Sequence, residues 1–250
     1  MQKIKVQLVF IFLGLFAFGV NGSNKSEVYN SYIFDRMPVW KNLIDHLHTL
    51  PDKSNEQLLE LINYQYGYIG WCLGKDQKDE ALVYLKLAEE NLKNLEDARF
   101  KPAIINGYKS AFYGNHIALS KFSAPFIGPK SAECARLAVK LDPNEPFGYF
   151  QMGNVKYHTP PLMGGSKIEA VGFFLKARAL MEKKKDLIRG DWNYLSLLVT
   201  LARTYESIND LLKAKQVYEE TLKFEPEFKW VKDDLYPNLL KKMGTSEAGN

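Results

Sequence analysis

The side chains able to do covalent or metal chemistry are scattered along this chain. His46 and His48 lie two residues apart on a helical stretch and point away from each other, and His116 and His158 have no partner at ligand spacing. No serine sits in a nucleophile-elbow pattern, the acids of residues 76–80 suit a helix start, and Asp233 and Asp234 are neighbours near the C-terminus. The sequence therefore offers no catalytic set, and neither a metal nor a cofactor is expected. Cys72 and Cys134 are either bridged, in an oxidising compartment, or each a small buried apolar residue. One stretch stands out from a plain helical pattern, Pro160-Pro161-Leu162-Met163-Gly164-Gly165-Ser166. Its proline pair stiffens the chain, and the two glycines permit a positive φ or a close approach just before a helix N-terminus that can attract an anion. A structural loop covering helix ends fits the same residues.

Whatever these side chains do, a recurring register must position them. Ala81, Leu85 and Ala88, then Ser131, Ala135 and Ala138, then Ala170, Phe174 and Ala177, and finally Ala214, Tyr218 and Thr221 are small–large–small triplets with offsets of four and three. On a helix those offsets share one face, and the small members let a second helix approach closely. Pro143 and Pro226 follow two of the triplets by five residues, where a helix must stop. Upstream of the last triplet, Leu201, Ala202 and Tyr205 form a facing helix, so that residues 195–228 make a helix pair of about 34 residues. In the two middle units the facing helices carry Gly114 and Gly153, each seventeen residues before its triplet and five more than in the last unit. The added length falls in turn-rich segments, residues 122–129 and 158–165, which predict an enlarged loop inside each of these pairs.

These features resemble the tetratricopeptide repeat family, with the likeness extending over residues 55–228 as four helix pairs. The positions at which that family prefers tryptophan hold Gln65, Ser110, Tyr149 and Leu198. The resemblance implies an all-α helix-pair solenoid, with N- and C-terminal capping helices predicted at either end, and a concave groove lined by the first helix of each pair. Carried onto this chain, the groove positions are Tyr66, Gly70 and Leu73; Tyr108, Ala111 and Asn115; Phe147, Phe150, Asn154 and Tyr157; and Val199, Arg203 and Glu206. An asparagine recurs at one groove position in both loop-bearing repeats, and a carboxamide can both donate to and accept from an extended peptide backbone. Asn115 and Asn154 are thus the leading contacts, or else make local bonds. Tyr108, Phe147, Phe150 and Tyr157 are either ligand platforms or core. Arg203 could fix a carboxylate bidentately unless Glu206 pairs with it. A peptide or partner protein is the expected ligand. The proline and double-glycine insertion is also similar to that of the exported tetratricopeptide component associated with TRAP-type transporters, which implies a small-molecule ligand in a pocket beneath Pro125 and Pro160.

The ends of the chain set its compartment and limits. Lys3 and Lys5 precede an apolar run over residues 6–20, and small residues stand one and three positions before Ser23. Residues 1–22 thus read as a signal peptide, or as an uncleaved anchor, and the mature protein is expected to be secreted or periplasmic without a stable membrane span. Removing Lys3 and Lys5 lowers the formal net charge from +4 to +2, and no long basic stripe points to nucleic acid. Residues 23–54 should comprise a polar, mobile lead and a capping helix opened by Pro38, and residues 229–250 a C-terminal capping helix interrupted near Pro237 with a frayed tail. Spacings of 50, 39 and 44 residues between successive triplets predict longer helices or connections after Leu95 and Leu180.

Overall fold

Caps and prolines set the helix ends. The computed structural model describes residues 16–247, in which α1 (Phe16–Ile33) and α2 (Met37–Thr49) are joined by a turn with Asp35 at φ +54°. Pro38 occupies the first turn of α2, where its missing N–H costs nothing. A reciprocal capping box opens α3 (Asn55–Gly74): the Gln57 N–H donates to the Ser54 hydroxyl, and the Ser54 N–H to the Gln57 side chain. Asp76, at φ +57°, turns the chain into α4 (Lys78–Asp97). There follow α5 (Pro102–Leu119), α6 (Ala124–Leu141), α7 (Pro146–His158), α8 (Lys167–Glu182), the single turn α9 (Lys185–Ile188), α10 (Trp192–Ser207), α11 (Leu211–Phe224) and α12 (Tyr236–Glu247). A π-helical turn, Trp230–Leu235, precedes Pro237 and leads into α12.

The register places the core. Each triplet residue is fully buried except Ser131, at 6 % exposure. The pairs α3/α4, α5/α6, α7/α8 and α10/α11 pack within themselves, and successive pairs stack through α4 on α5, α6 on α7 and α8 on α10, giving an all-α helix-pair solenoid. Polar pairs replace the missing tryptophans in two repeats. Asn91 donates to Gln65 at 3.1 Å, and Ser131 donates to the Ser110 carbonyl at 2.9 Å, each between the two helices of a pair. Phenol–carboxylate bonds brace two pairs in the same way, Tyr68 donating to Glu80 (2.9 Å) and Tyr218 to Glu206 (2.7 Å), and a third, Tyr194 to Glu182 (2.7 Å), ties α10 to α8 of the preceding pair. Burial first, and the carboxylate second, push these phenols up and keep them protonated as donors. Arg178 adds a tie between pairs, donating to Glu182 (2.7 Å) and Glu220 (2.8 Å).

Several expectations change. Residues 23–30 are not a mobile lead: they belong to α1, where Val28 is fully buried and Ser31 is nearly so, because α1 packs on α2 and α10. The capping element is consequently a helix pair. The segment 122–129 is mostly helix, since α6 begins at Ala124 after a 3-10 turn, Lys121–Ser123, and the fixed φ of Pro125 suits a first helical turn. Only the second insertion is a loop, built around the 3-10 turn Pro161–Met163. The extra length after Leu95 lies partly in α4, which continues to Asp97, and that after Leu180 in α9 and Gly190, at φ +66°. Both cysteines are free; burial, then the Glu80 charge, pushes the Cys72 thiol up to about 11. Residues 1–15 of the signal segment and 248–250 of the tail lie outside the described residues, and α12 runs on through Glu247 without a break at Gly244.

Candidate functional site

The inner helices α3, α5, α7 and α10 carry the groove positions, and their two halves differ. The N-terminal halves are closed by an aromatic and carboxamide hub. Asn63 Nδ2 donates to Asn193 Oδ1 at 3.0 Å and to the Tyr108 hydroxyl at 2.9 Å, while Trp192 Nε1 donates to Asn63 Oδ1 at 3.0 Å. The Tyr66 ring lies 5.9 Å from Tyr108 and 5.8 Å from Phe147, and Phe147 lies 4.6 Å from Tyr108. Gly107 makes room for this ring, because a Cβ there would sit 2.6 Å from Phe147 Cδ1. The first and last repeats thereby meet, and the hub is continued by Trp40 and Tyr32, whose rings lie 5.1 and 5.8 Å from Trp192.

Tyr108 is therefore placed in the core, the alternative open for it from sequence, and Phe147 packs half-buried against that core. Tyr108 is 3 % exposed and its hydroxyl is already bonded, so a groove ligand does not reach it. Phe150, half-buried, bridges Phe147 and the fully buried Phe174 at ring distances of 6.5 and 5.5 Å. Ala111 and Val199, groove positions by register, are buried as well.

The C-terminal halves hold the remaining candidates. Asn115, near the end of α5, has a buried Nδ2 with no hydrogen-bond partner. On the neighbouring α7, Asn154 donates to Gln151 (3.2 Å), whose own amide reaches the Tyr66 hydroxyl at 3.4 Å. Tyr157 is half-buried, with the Lys167 ammonium 5.4 Å from its ring and the His158 imidazole 4.8 Å away, edge to face. Arg203 is exposed, its guanidinium 6.0 Å from the Trp230 ring, while Glu206 accepts from Tyr218; the two do not divert each other. Desolvation, then the Arg203 and Lys167 charges, pushes the His158 imidazole down. This end of the inner face thus offers a partnerless carboxamide donor, an aromatic ring and a pair of cations. It can hold a peptide backbone and an acidic group. No cluster of metal-ligating side chains occurs among the described residues.

No protein-family model matches the chain, and no curated protein matches its sequence. Among solved structures, a thermophilic tetratricopeptide protein of Thermus thermophilus superposes with a TM-score of 0.52 at 18 % identity, over 91 % of this chain and 95 % of its own. The chain has the tetratricopeptide fold. The TPR2AB domain of yeast Sti1 in its pHSP90 complex is also similar, at 14 % identity and a TM-score of 0.34, over 88 % of this chain and 98 % of that one.

Within this tetratricopeptide fold, sequence reasoning missed the hub residues Asn63, Asn193 and Trp192. They join elements up to 130 residues apart, so no local spacing marks them. It also missed Trp230 and Lys167 as neighbours of the inner face. Trp230 comes from the C-terminal cap and Lys167 from the start of an outer helix, neither of which the repeat register assigns to the groove. Hollows of about 350 and 310 Å³ lie away from this end, beside Asn30 and Arg36 and beside Arg189 and Phe224.

Proposed function

We propose that the protein is an interaction module that takes an extended peptide segment of a partner protein across the C-terminal ends of its inner helices. The observation that carries this reading is Asn115, half-buried at a groove position with its Nδ2 turned inward and partnerless, since an unpaired donor costs free energy that rotation of the amide onto a peptide carbonyl would recover. Asn154 and Tyr157 on the adjacent helix extend the contact, Phe150 supplies apolar surface deeper in, and Arg203 receives a side-chain or terminal carboxylate. Tyr108 and Phe147 support the site from the hub. A small-molecule pocket beneath Pro125 and Pro160, as in a TRAP-type accessory, gains no support from the two hollows described, which lie elsewhere.

The test is capture of partners from the native extracytoplasmic fraction. Asn115→Ala with Asn154→Ala should weaken binding by about 1 kcal/mol or more per site, roughly fivefold each, with helicity unchanged. Arg203→Gln should weaken it further if the bound segment is acidic. Unchanged recovery with the double variant sinks the reading.

Export belongs to the same proposal. Val28, Ser31 and Ile33, which anchor α1, all follow Ser23, so cleavage before Ser23 keeps that anchor. Among the described residues no helix is long and apolar enough to cross a membrane. Mass-spectrometric mapping of the native protein should find a mature N-terminus at or near Ser23; recovery of Met1 would contradict cleavage.

A further inference from the structure

The most exposed large apolar side chains share one edge of the solenoid. Phe122 is 93 % exposed, Phe126 79 %, Leu162 102 %, Met163 62 %, Ile168 74 % and Leu212 74 %. All six stand where an inner helix hands over to its outer partner, at the C-terminal ends of α5, α7 and α10. The opposite edge carries less exposed residues, Leu141 at 47 % and Leu187 at 58 %.

Phe126, Ile168 and Leu212 are fixed in the first turns of α6, α8 and α11, and Leu162 and Met163 are held outward by their loop. Gly164 adopts φ +88°, and a Cβ on Gly165 would lie 1.7 Å from the Thr159 carbonyl oxygen. The Ser166 N–H donates to the Lys156 carbonyl (2.9 Å), and Lys156 Nζ to the Gly164 carbonyl (3.1 Å). A loop so bonded cannot fold Leu162 and Met163 back onto the protein. Around the tips that follow α5 and α7 the charge is one-sided: no Asp or Glu occurs in residues 98–132 or 146–168, whereas Lys121, Lys130 and Lys167 are exposed. Glu169, beside Ile168, and Asp210, near Leu212, are paired with Lys156 and Lys213.

We propose that this edge docks on a lipid bilayer containing anionic headgroups. Separate apolar knuckles at three successive helix handovers suit acyl chains, which accommodate protrusions wherever they stand, better than a protein surface that must match them all at once. Exposed lysines beside the tips that follow α5 and α7, where the adjoining Glu169 is itself paired to Lys156, complement an anionic headgroup layer. The inference is independent of the peptide reading, although docking would turn the ends of the inner helices, with Asn115 and Arg203, towards the membrane.

The experiment is flotation of the full chain with phosphatidylcholine vesicles, with and without about 30 % phosphatidylglycerol. The protein should float with the anionic vesicles and less with the neutral ones. Replacing Phe122, Phe126, Leu162 and Met163 by serine should reduce the bound fraction at least about tenfold. Lys121→Gln with Lys130→Gln should remove the preference for anionic lipid. Leu187→Ser on the opposite edge controls for the loss of an exposed apolar side chain as such and should change nothing in flotation, as should the Asn115 and Asn154 alanine variant. All the replaced side chains are exposed, so thermal melts should coincide. A wild type that stays unbound, or a quadruple variant that floats as well as the wild type, overturns the proposal; so does a quadruple variant that keeps vesicle binding while losing a protein partner, which assigns the edge to that partner.

Discussion

Trp40→Ala is expected to lower unfolding stability by about 3–5 kcal/mol, the largest effect of any single side-chain truncation proposed for this protein. The indole is fully buried, lies 5.1 Å from the Trp192 ring and 6.1 Å from Tyr32, and donates its Nε1–H to the Tyr64 carbonyl at 3.1 Å. It therefore joins the N-terminal helix pair to the first repeat and to α10 of the last. Gly67 has no side chain because both indoles fill its place: a Cβ there would lie 2.6 Å from Trp40 Cζ2 and 2.8 Å from Trp192 Cη2. Truncation leaves a cavity that three elements must collapse around at once, and rigid helices relax into such a space only partly. Val39→Ala, next in sequence but 38 % exposed, should change stability by under about 1 kcal/mol. Urea unfolding followed by circular dichroism measures both. Equal midpoints for the two variants would show that the hub does not hold the first and last repeats together.

The second large effect concerns a glycine pair on facing helices. Gly153→Ala should destabilise by about 1–3 kcal/mol, because the new methyl would lie 2.3 Å from Cε1 of Phe174, a fully buried ring that also contacts Phe150 and has nowhere to retreat. Gly172→Ala should do the opposite. That glycine is exposed inside α8, nothing lies within 4 Å of its Cβ position, and removing glycine from a helix interior stabilises by roughly 0.5–1 kcal/mol. Opposite shifts of the melting temperature are the expected outcome, and a gain in both would mean that α7 and α8 do not pack in the register described. Gly114, the counterpart of Gly153 one repeat earlier, has open space around its Cβ position. Gly114 is exposed and turned away from its triplet, whereas Gly153 is buried against Phe174, so equal spacing from the triplet does not by itself mark a glycine that packing demands.

The repeat is legible in the amino-acid sequence without any knowledge of the fold. Side chains at offsets of four and three share a helix face whatever surrounds them, so Ala81, Phe174 or Tyr218 could be assigned to the core from local spacing alone. The same holds for helix starts, where Ser54 and Gln57 need only each other. Local chemistry also marked Gly164 and Gly165 as positions for a positive φ and a close approach. Long-range packing settled the rest. Residues 23–30 are polar in sequence, yet they form helix because Val28 and Ile33 find buried surface that distant elements supply. Tyr108 and Phe147 sit at positions that an open groove would expose, but the first and last repeats meet there, and that contact depends on angles accumulated over four helix pairs. Asn115 and Arg203 lie beyond this closure. Small rotations between packed pairs add along a solenoid, and no short-range pattern records their sum.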